Sequence, residues 1–312
     1  MKTILITGAY GFVGTNLVNY LKGSYIMWAL DVRQQREGLY SRYFSWNELD
    51  TIPFDQVDTI IHLAGKAHDV KGTSEAQIYF DINTGLTQKV FDRFLSSNSK
   101  KFIFFSSVKA AADYVTGDIL TENIIPYPVG PYGESKIKAE EYIQSKDWSD
   151  KKVYIFRPCM IHGPGNKGNL NLLYSFINKG IPYPLGSFEN KRSFTSVENL
   201  CYIIDAVAKA NIESGIYNIA DDTPLSTNEL IKLICIGLER KPKIWNMPKG
   251  MINTVAKIGN VLHLPLNTAR LDKLTENYVV DNSKIKSALG IENLPVTSSD
   301  GIVKTIKSFK NN

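Results

Sequence analysis

The stretch Thr7-Gly8-Ala9-Tyr10-Gly11-Phe12-Val13-Gly14 carries a glycine at every third position, directly after the short apolar run Ile4-Leu5-Ile6. Val13, Leu17 and Leu21 then recur at helical spacing. This order predicts a strand, a glycine-rich turn and an amphipathic helix. Such a turn lets backbone N–H groups approach a pyrophosphate at the positive end of the helix dipole.

The alternation of strand and helix continues along the chain. A long helix is expected over Tyr132–Ser145, and a weak strand near Tyr43-Phe44. The other predicted strands are the apolar runs at Tyr25–Leu30, Val57–Leu63, Lys101–Phe105, Val153–Phe156 and Gly215–Ile219. Strands that alternate with helices predict an α/β fold with a Rossmann-type, doubly wound parallel sheet.

The regular alternation of predicted strands and helices ends after Pro158. Glycines and prolines then interrupt the pattern at Gly163-Pro164-Gly165 and Pro182-Tyr183-Pro184. We therefore expect a larger dinucleotide-binding domain over 1–165 and about 193–220. A smaller, interleaved C-terminal substrate lobe is expected over about 166–192 and 221–312.

Composition restricts the possible partners. The net charge of +5 arises from 36 basic and 31 acidic residues. The basic residues are read as spread along the chain with no basic run, which predicts no nucleic-acid partner and suits an anionic substrate. Three separated cysteines and four histidines predict neither a disulfide framework nor a metal site. Without an apolar run long enough for a signal peptide or a membrane span, we expect a cytoplasmic protein with no membrane partner.

Asp31 follows the second predicted strand, about twenty residues beyond the glycine turn. A carboxylate there accepts hydrogen bonds from the adenosine ribose hydroxyls of a dinucleotide and repels a 2′-phosphate. NAD is therefore favoured over NADP. Arg33, two residues further on, leaves NADP possible because a guanidinium pairs with such a phosphate.

The stretch Tyr132-Gly133-Glu134-Ser135-Lys136 puts Lys136 on the same helix face as Tyr132. A neighbouring ammonium is expected to lower the pKa of the tyrosine from its usual value of about 10. The Ser107 hydroxyl, at the end of a predicted strand, would hydrogen-bond the same substrate oxygen. These groups suit the oxidation of an alcohol or the reduction of a ketone.

Five motifs in this order resemble the extended short-chain dehydrogenase/reductase family, and within it the nucleotide-sugar epimerase and dehydratase branch. They are Thr7–Gly14, His62-Leu63-Ala64-Gly65, Ser106-Ser107, Tyr132-x-x-x-Lys136 and Arg157-Pro158, and the resemblance extends from Lys2 to about Leu289. It implies Ser107, Tyr132 and Lys136 as catalytic residues. The cofactor site it implies comprises Gly8, Tyr10, Gly11, Phe12, Val13, Gly14, Asp31, Leu63, Ala64, Gly65, Asn83 at the family's structural asparagine position, Ser106, Tyr132, Lys136 and Pro158.

The resemblance also implies a substrate side. Arg192 is similar to the arginine that grips the nucleotide diphosphate, and a surface charge is the alternative. Asn169 and Asn171 would contact the diphosphate or cap a helix, and Arg270 would supply a second phosphate contact. Lys109 would either face the substrate or be a solvated loop lysine.

Two segments depart from the family pattern. Val108-Lys109 stand where 4,6-dehydratases carry Asp-Glu, and neither residue can act as the acid and base of a dehydration. His162 replaces the tyrosine of the family's Arg-Pro-x-x-x-Tyr-Gly-Pro segment. Dehydration is therefore not expected.

The favoured function is an NAD-dependent UDP-hexose 4-epimerase that works through a 4-keto intermediate. The alternatives are an NAD(P)H-dependent reductase of a UDP-4-keto-6-deoxy sugar and a non-catalytic dinucleotide-binding sensor, although a sensor would not need an intact Tyr-Lys pair. Family analogy adds a role in polysaccharide biosynthesis and a homodimer formed through residues 84–97 and 136–145. Phe91, Phe94 and Leu95 would serve that dimer face or the core.

Overall fold

The computed structural model describes residues 1–33, 40–67, 75–166, 168–261 and 267–310, without the side chains of Asn169, Val261 and Ala269. Seven parallel strands form the main sheet in the order β3-β2-β1-β4-β5-β6-β9. They are β1 (Thr3–Thr7), β2 (Ile26–Leu30), β3 (Arg42–Phe44), β4 (Thr59–His62), β5 (Lys101–Phe105), β6 (Lys152–Pro158) and β9 (Gly215–Ile219). A separate parallel pair consists of β7 (Met160–His162) and β8 (Phe194–Ser196).

Helices connect these strands and build the C-terminal part of the chain. They are α1 (Phe12–Leu21), α2 (Ala76–Tyr79), α3 (Leu86–Leu95), α4 (Val108–Ala111), α5 (Pro131–Gln144), α6 (Asn169–Asn178), α7 (Val197–Lys209), α8 (Thr227–Leu238), α9 (Lys249–Val261), α10 (Thr268–Thr275), α11 (Ser283–Leu289) and α12 (Ser298–Phe309). A π-helical turn, Phe80–Gly85, joins α2 to α3, and short 3-10 helices cover Trp46–Thr51 and Phe54–Gln56. Within the described ranges, none of the helices combines the length and apolarity that crossing a bilayer requires.

The strand order confirms the predicted α/β fold with a doubly wound parallel sheet. The chain builds outward from β1 through β2 to β3, then returns to the other side of β1 to form β4. This reversal opens a crevice at the carboxyl ends of β1 and β4, where open α/β sheets bind their ligands.

Two apolar cores cover the faces of the main sheet. One contains Leu17 of α1 and Leu200 of α7, and the other contains Phe91 and Phe94 of α3. Phe91 and Phe94 are fully buried, so of their two expected roles the structure shows the core, with Leu95 partly buried against it.

A third core lies in the C-terminal part of the chain. It is formed by α6, α8, α9, α10 and α12, and includes Phe194 of β8. Ile285 of α11 and Leu294 instead belong to the core on the α1 and α7 side of the main sheet. The predicted division, which assigned Phe194 to the larger domain and all of 221–312 to the lobe, stays a prediction.

Candidate active site

The glycine turn lies at the crevice and depends on the absence of side chains. Gly8 has φ of +66°, and a Cβ there would lie 2.8 Å from the Ala64 nitrogen. A Cβ at Gly14 would lie 2.4 Å from the Ala9 carbonyl oxygen. Gly11 is the N-cap of α1 and, because it is a glycine, has no side chain that could cap the helix. The first-turn N–H groups of α1 therefore face the crevice without a side-chain cap, a geometry that suits a phosphate.

Asp31 is fixed beside this turn at the end of β2. One carboxylate oxygen accepts from the Tyr10 N–H at 2.9 Å and the other from the Arg33 N–H at 3.1 Å. The Arg33 guanidinium donates to the Tyr10 carbonyl at 2.8 Å. Each oxygen of Asp31 retains acceptor capacity for a ribose hydroxyl.

A buried hydrogen-bonded chain supports the second loop of the crevice, residues 63–65. Thr87 donates to the Asn83 carbonyl at 2.6 Å, so its hydroxyl oxygen accepts from Nε2 of His62 at 3.0 Å. Nδ1 of His62 then accepts from the Thr7 hydroxyl at 2.7 Å, and Thr7 accepts from the Ala64 N–H at 3.1 Å. This direction requires neutral His62. Burial, aided by the charge of Lys136, lowers the pKa of His62 to about 3.

Gly65 lies where three elements meet. A Cβ there would be 2.9 Å from Oδ1 of Asn83 and 3.1 Å from Nζ of Lys136. Asn83 itself is fully buried; its amide accepts from the Lys66 N–H at 2.8 Å and donates to the Ser135 hydroxyl at 3.0 Å. Asn83 therefore supports the loop from behind, as expected of a structural asparagine, and its predicted contact with the cofactor stays a prediction.

The three predicted catalytic side chains come together at the end of β5. Ser107 is the N-cap of α4, and its hydroxyl accepts from the Lys109 N–H at 3.2 Å. The side chains of Tyr132 and Ser107 are hydrogen-bonded to each other. Nζ of Lys136 donates to the Phe105 carbonyl at 2.7 Å. The arrangement can exchange a proton with an alcohol oxygen placed against Tyr132 and Ser107.

The titration of this site differs from the sequence-based expectation. Burial raises the pKa of Tyr132, and the hydrogen bond from Ser107 opposes that rise. Burial also lowers the pKa of Lys136 to about 8, against the opposing charge of Glu140. Because Lys136 is directed at the Phe105 carbonyl, desolvation outweighs the expected effect of its ammonium on Tyr132.

A buried ion pair behind the site was missed from the sequence. Arg157 donates to Glu140 from Nε at 3.0 Å and from Nη2 at 2.6 Å, and Ser106 donates to the same carboxylate. The hydroxyl of Ser106, a residue predicted to contact the cofactor, thus donates its hydrogen bond to Glu140. The available signal was Glu140 itself, four residues after Lys136 on the face that carries Tyr132.

The remaining predicted cofactor residues surround the crevice. Ala64 contacts the glycine turn, and Leu63 packs against the neighbouring core. The Phe12 ring approaches Gly163 and Gly165, just beyond β7. Pro158 is buried at the end of β6 beside β9, while Tyr10 and Val13 lie within and after the turn.

Arg192 and Lys109, two of the predicted substrate residues, both lie close enough to Glu276 to affect its pKa. Arg192 donates to the Lys273 carbonyl at 2.8 Å and forms an ion pair with Glu276 at 3.3 Å. Lys109 forms an ion pair with Asp113 at 2.9 Å and lies over the ring of Tyr278. Burial raises the pKa of Glu276, whereas Arg192 and Lys109 oppose that rise. Lys109 is thus half-buried and paired, unlike a solvated loop lysine.

The other substrate candidates lie on α6 and α10. Gly168 is the N-cap of α6, so neither Asn169 nor Asn171 caps that helix. The side chain of Asn169 lies outside the described part of the structure. Oδ1 of Asn171 is buried without a hydrogen-bond partner among the described residues. Arg270 lies exposed on α10.

A Rossmann-type sheet with a Ser-Tyr-Lys site at its carboxyl edge is the arrangement of a short-chain dehydrogenase/reductase. Residues 4–220 match the NAD dependent epimerase/dehydratase family, and the chain belongs to that family. The family assignment expected from the sequence is confirmed, and so is NAD as the family's cofactor.

The chain is similar to several 4-epimerases along its whole length. It is 30% identical to UDP-glucose 4-epimerase of Vibrio cholerae, over 99% of this chain and 95% of that protein. It is 27% identical to N-acetyl-alpha-D-glucosaminyl-diphospho-ditrans,octacis-undecaprenol 4-epimerase of Escherichia coli O157:H7, over 97% and 94%. The structure of UDP-glucuronic acid 4-epimerase from Bacillus cereus in complex with NAD superimposes with a TM-score of 0.76 over 99% of both chains at 20% identity, which supports the fold.

Proposed function

We propose that this protein is an NAD-dependent UDP-hexose 4-epimerase that works through a 4-keto intermediate. One observation carries the proposal: Tyr132 is hydrogen-bonded to Ser107 in the same pocket where Lys136 approaches Gly65. The similarity to 4-epimerases over nearly the whole chain supports it.

The crevice fits NAD. Gly8, Gly11 and Gly14 leave room for the pyrophosphate at the start of α1, and Asp31 offers its carboxylate to the adenosine ribose. Bound NAD would accept the C4 hydride of the sugar and later return it to the opposite face.

The residues of this chain would supply the proton chemistry. Tyr132, as the phenolate, would take the proton of the C4 hydroxyl, and Ser107 would hold that oxygen in line. The positive charges of Lys136 and of bound NAD would favour that phenolate over the neutral phenol. Lys136 contributes a positive charge beside the loop at Gly65, where a nicotinamide ribose would lie. The buried Glu140–Arg157 pair fixes the helix that carries Tyr132 and Lys136.

Cofactor use separates this proposal from the 4-ketoreductase alternative. An epimerase recovers its cofactor in each turnover, whereas a reductase consumes one NAD(P)H per product. Purified protein is incubated with UDP-glucose and UDP-N-acetylglucosamine without added cofactor, and the ring protons are followed by NMR. Inversion at C4 supports the epimerase. Conversion only of a UDP-4-keto-6-deoxy sugar with added NAD(P)H would contradict it.

A second candidate is 4-epimerisation of a hexose carried on a polyprenyl diphosphate. The similarity to the Escherichia coli O157:H7 relative over 97% of this chain favours it. The same assay with N-acetylglucosaminyl-diphospho-polyprenol in detergent tests this candidate. Conversion of this substrate but not of the UDP-sugars would replace the first proposal by the second.

A further inference from the structure

Helix α9 has more apolar surface than the fold covers. Ile252 and Ala256 are buried in the C-terminal core. Met251, Val255 and Ile258 are exposed by 49%, 41% and 48%, and their spacing of four and three residues puts them on one face. We call these three residues the α9 stripe. The 13 residues of α9 span about 20 Å, and the stripe covers about half of that length.

The neighbouring helix α10 is fixed against α9. The Asn260 side chain donates to the Thr268 hydroxyl at 3.0 Å and accepts from the Thr268 N–H at 3.1 Å. Leu271 of α10 is buried in the same core, while Leu274 is 40% exposed. The exposed stripe therefore belongs to a packed pair of helices.

The positive charge of the protein is concentrated in the segment that contains this pair. Residues 240–275 contain one acid, Asp272, and seven exposed basic residues: Arg240, Lys241, Lys243, Lys249, Lys257, Arg270 and Lys273. This segment has a net charge of +6 (7 − 1), whereas the rest of the chain has 29 basic and 30 acidic residues and a net charge of −1. The expectation that the basic residues are spread along the chain is therefore corrected for this segment.

We propose that α9 docks onto an anionic phospholipid bilayer, with the α9 stripe in the acyl boundary and the exposed basic residues Lys257, Arg270 and Lys273 of α9 and α10 at the headgroups. Apolar burial or basic attraction alone gives weak binding, and the two together give stable attachment. A second copy of this chain would bring the same positive charge to the same face. Nucleic acid would leave the apolar stripe uncovered.

The proposed docking surface is connected to the predicted substrate-binding residues by a hydrogen bond. The carbonyl of Lys273, in the last turn of α10, accepts the hydrogen bond from Arg192. The helix pair that would contact the bilayer thus also positions Arg192, the residue predicted to bind the diphosphate of the substrate. Docking of this surface does not depend on which sugar the site converts.

Vesicle sedimentation tests the proposal with the full chain. Vesicles of phosphatidylcholine mixed with phosphatidylglycerol should bind the protein, vesicles of phosphatidylcholine alone should bind it far less, and high salt should release it. Equal binding to both vesicles, or binding to neither, would overturn the proposal.

Two sets of variants locate the contact. Replacing the α9 stripe by serine (Met251→Ser, Val255→Ser, Ile258→Ser) should abolish binding, whereas Ile125→Ser, at an 86% exposed position, should not. Lys257→Gln should weaken binding about fivefold, because a basic residue at an anionic surface contributes about that factor. Lys22→Gln, after α1 at the amino-end edge of the sheet, serves as its control.

Two further readouts keep the test decisive. The melting temperature of each variant should equal that of the unmodified protein, because the changed side chains are exposed. If the triple variant unfolds, the difference in vesicle binding between Lys257→Gln and Lys22→Gln decides whether this surface binds the bilayer. Sedimentation velocity without vesicles should show no self-association through this face. Self-association that the triple variant abolishes would assign the stripe to a second copy and overturn the membrane proposal.

Discussion

At the scale of single residues, Tyr132 carries the proposed chemistry. Tyr132→Phe removes the hydroxyl that exchanges the substrate proton and keeps the ring, so kcat should fall by about 10² to 10⁴. NAD affinity, measured by titration, should not change. Tyr142→Phe is the matched control, because Tyr142 lies on the same helix with its hydroxyl on Asp92. Near-normal turnover by Tyr132→Phe would remove this residue from the mechanism.

His62 gives a prediction on pH and stability. Its pKa is about 3 in the folded protein and about 6.5 in an unfolded chain. Between these values only the unfolded chain binds the proton, so the free energy of unfolding falls by about 1.4 kcal/mol for each pH unit of acidification.

The variant His62→Gln isolates this contribution, because it lacks the titrating group. Broken hydrogen bonds should make it less stable than the unmodified protein at pH 7. That gap should shrink by about 2 kcal/mol at pH 5, as measured by urea unfolding of both proteins. An unchanged gap would mean that His62 is not held neutral.

How far the sequence predicts the site depends on how local each interaction is. The glycine turn and the Tyr132–Lys136 pair are fixed by spacing along one segment, and both stand where they were predicted. The Glu140–Arg157 pair joins a helix to a strand 17 residues away, and the chain from Thr7 through His62 to Thr87 crosses three elements. Such contacts depend on the sheet order. The pKa of Tyr132 depends on burial, which spacing does not reveal.

At the scale of elements, the start of α1 depends on Gly14. In Gly14→Ala the new Cβ would meet the Ala9 carbonyl oxygen at 2.4 Å, so the turn must shift, at a cost of about 1–3 kcal/mol in stability. NAD affinity should fall with it. At Gly85 the nearest atom to a new Cβ is 3.8 Å away, so Gly85→Ala should gain about 0.4–1 kcal/mol. Urea unfolding and NAD titration of both variants check this, and equal effects would refute the steric argument.

The contact between α5 and β6 depends on Glu140. Glu140→Gln leaves the guanidinium of Arg157 buried without its counter-charge and should cost about 3 kcal/mol. Glu141→Gln changes the next residue, whose ion pair with Lys138 is exposed, and should cost less than about 0.5 kcal/mol. Urea unfolding of the two variants measures the difference. Similar losses would show that the buried pair does not hold these elements together.

The main elements follow from the apolar pattern. Strand Lys101–Phe105 and strand Gly215–Ile219 have their predicted bounds, and the weak strand near Tyr43-Phe44 exists as β3. The π-helical turn at Phe80–Gly85 was not predicted, because one extra residue in a helical turn leaves no clear mark on the apolar period.

At the scale of the whole molecule, the interleaved packing predicts one cooperative unfolding transition. Trp28, Trp46 and Trp148 report on the core beneath α3, whereas Trp245 lies in the C-terminal part of the chain. Subtracting the urea curve of Trp245→Phe from that of the unmodified protein isolates the signal of Trp245. Its midpoint should equal that of the far-UV circular dichroism. Two separate midpoints would show that the lobes unfold independently.

The homodimer stays a prediction. Because Phe91 and Phe94 are core residues, a dimer through α3 and α5 would have to use the outer, largely charged side chains of those helices, such as Lys89, Lys138 and Glu141.

The placement of α11 also bears on how the protein emerges from the ribosome. The main sheet lacks its last strand until Ile219 has been synthesised, and the core beside α1 lacks Ile285 and Leu294 for longer still. Although the first βαβ units appear early, the nascent chain must carry an incomplete core through most of its translation. The order in which this polypeptide is made therefore leaves apolar surface of this core exposed until Leu294 has been synthesised.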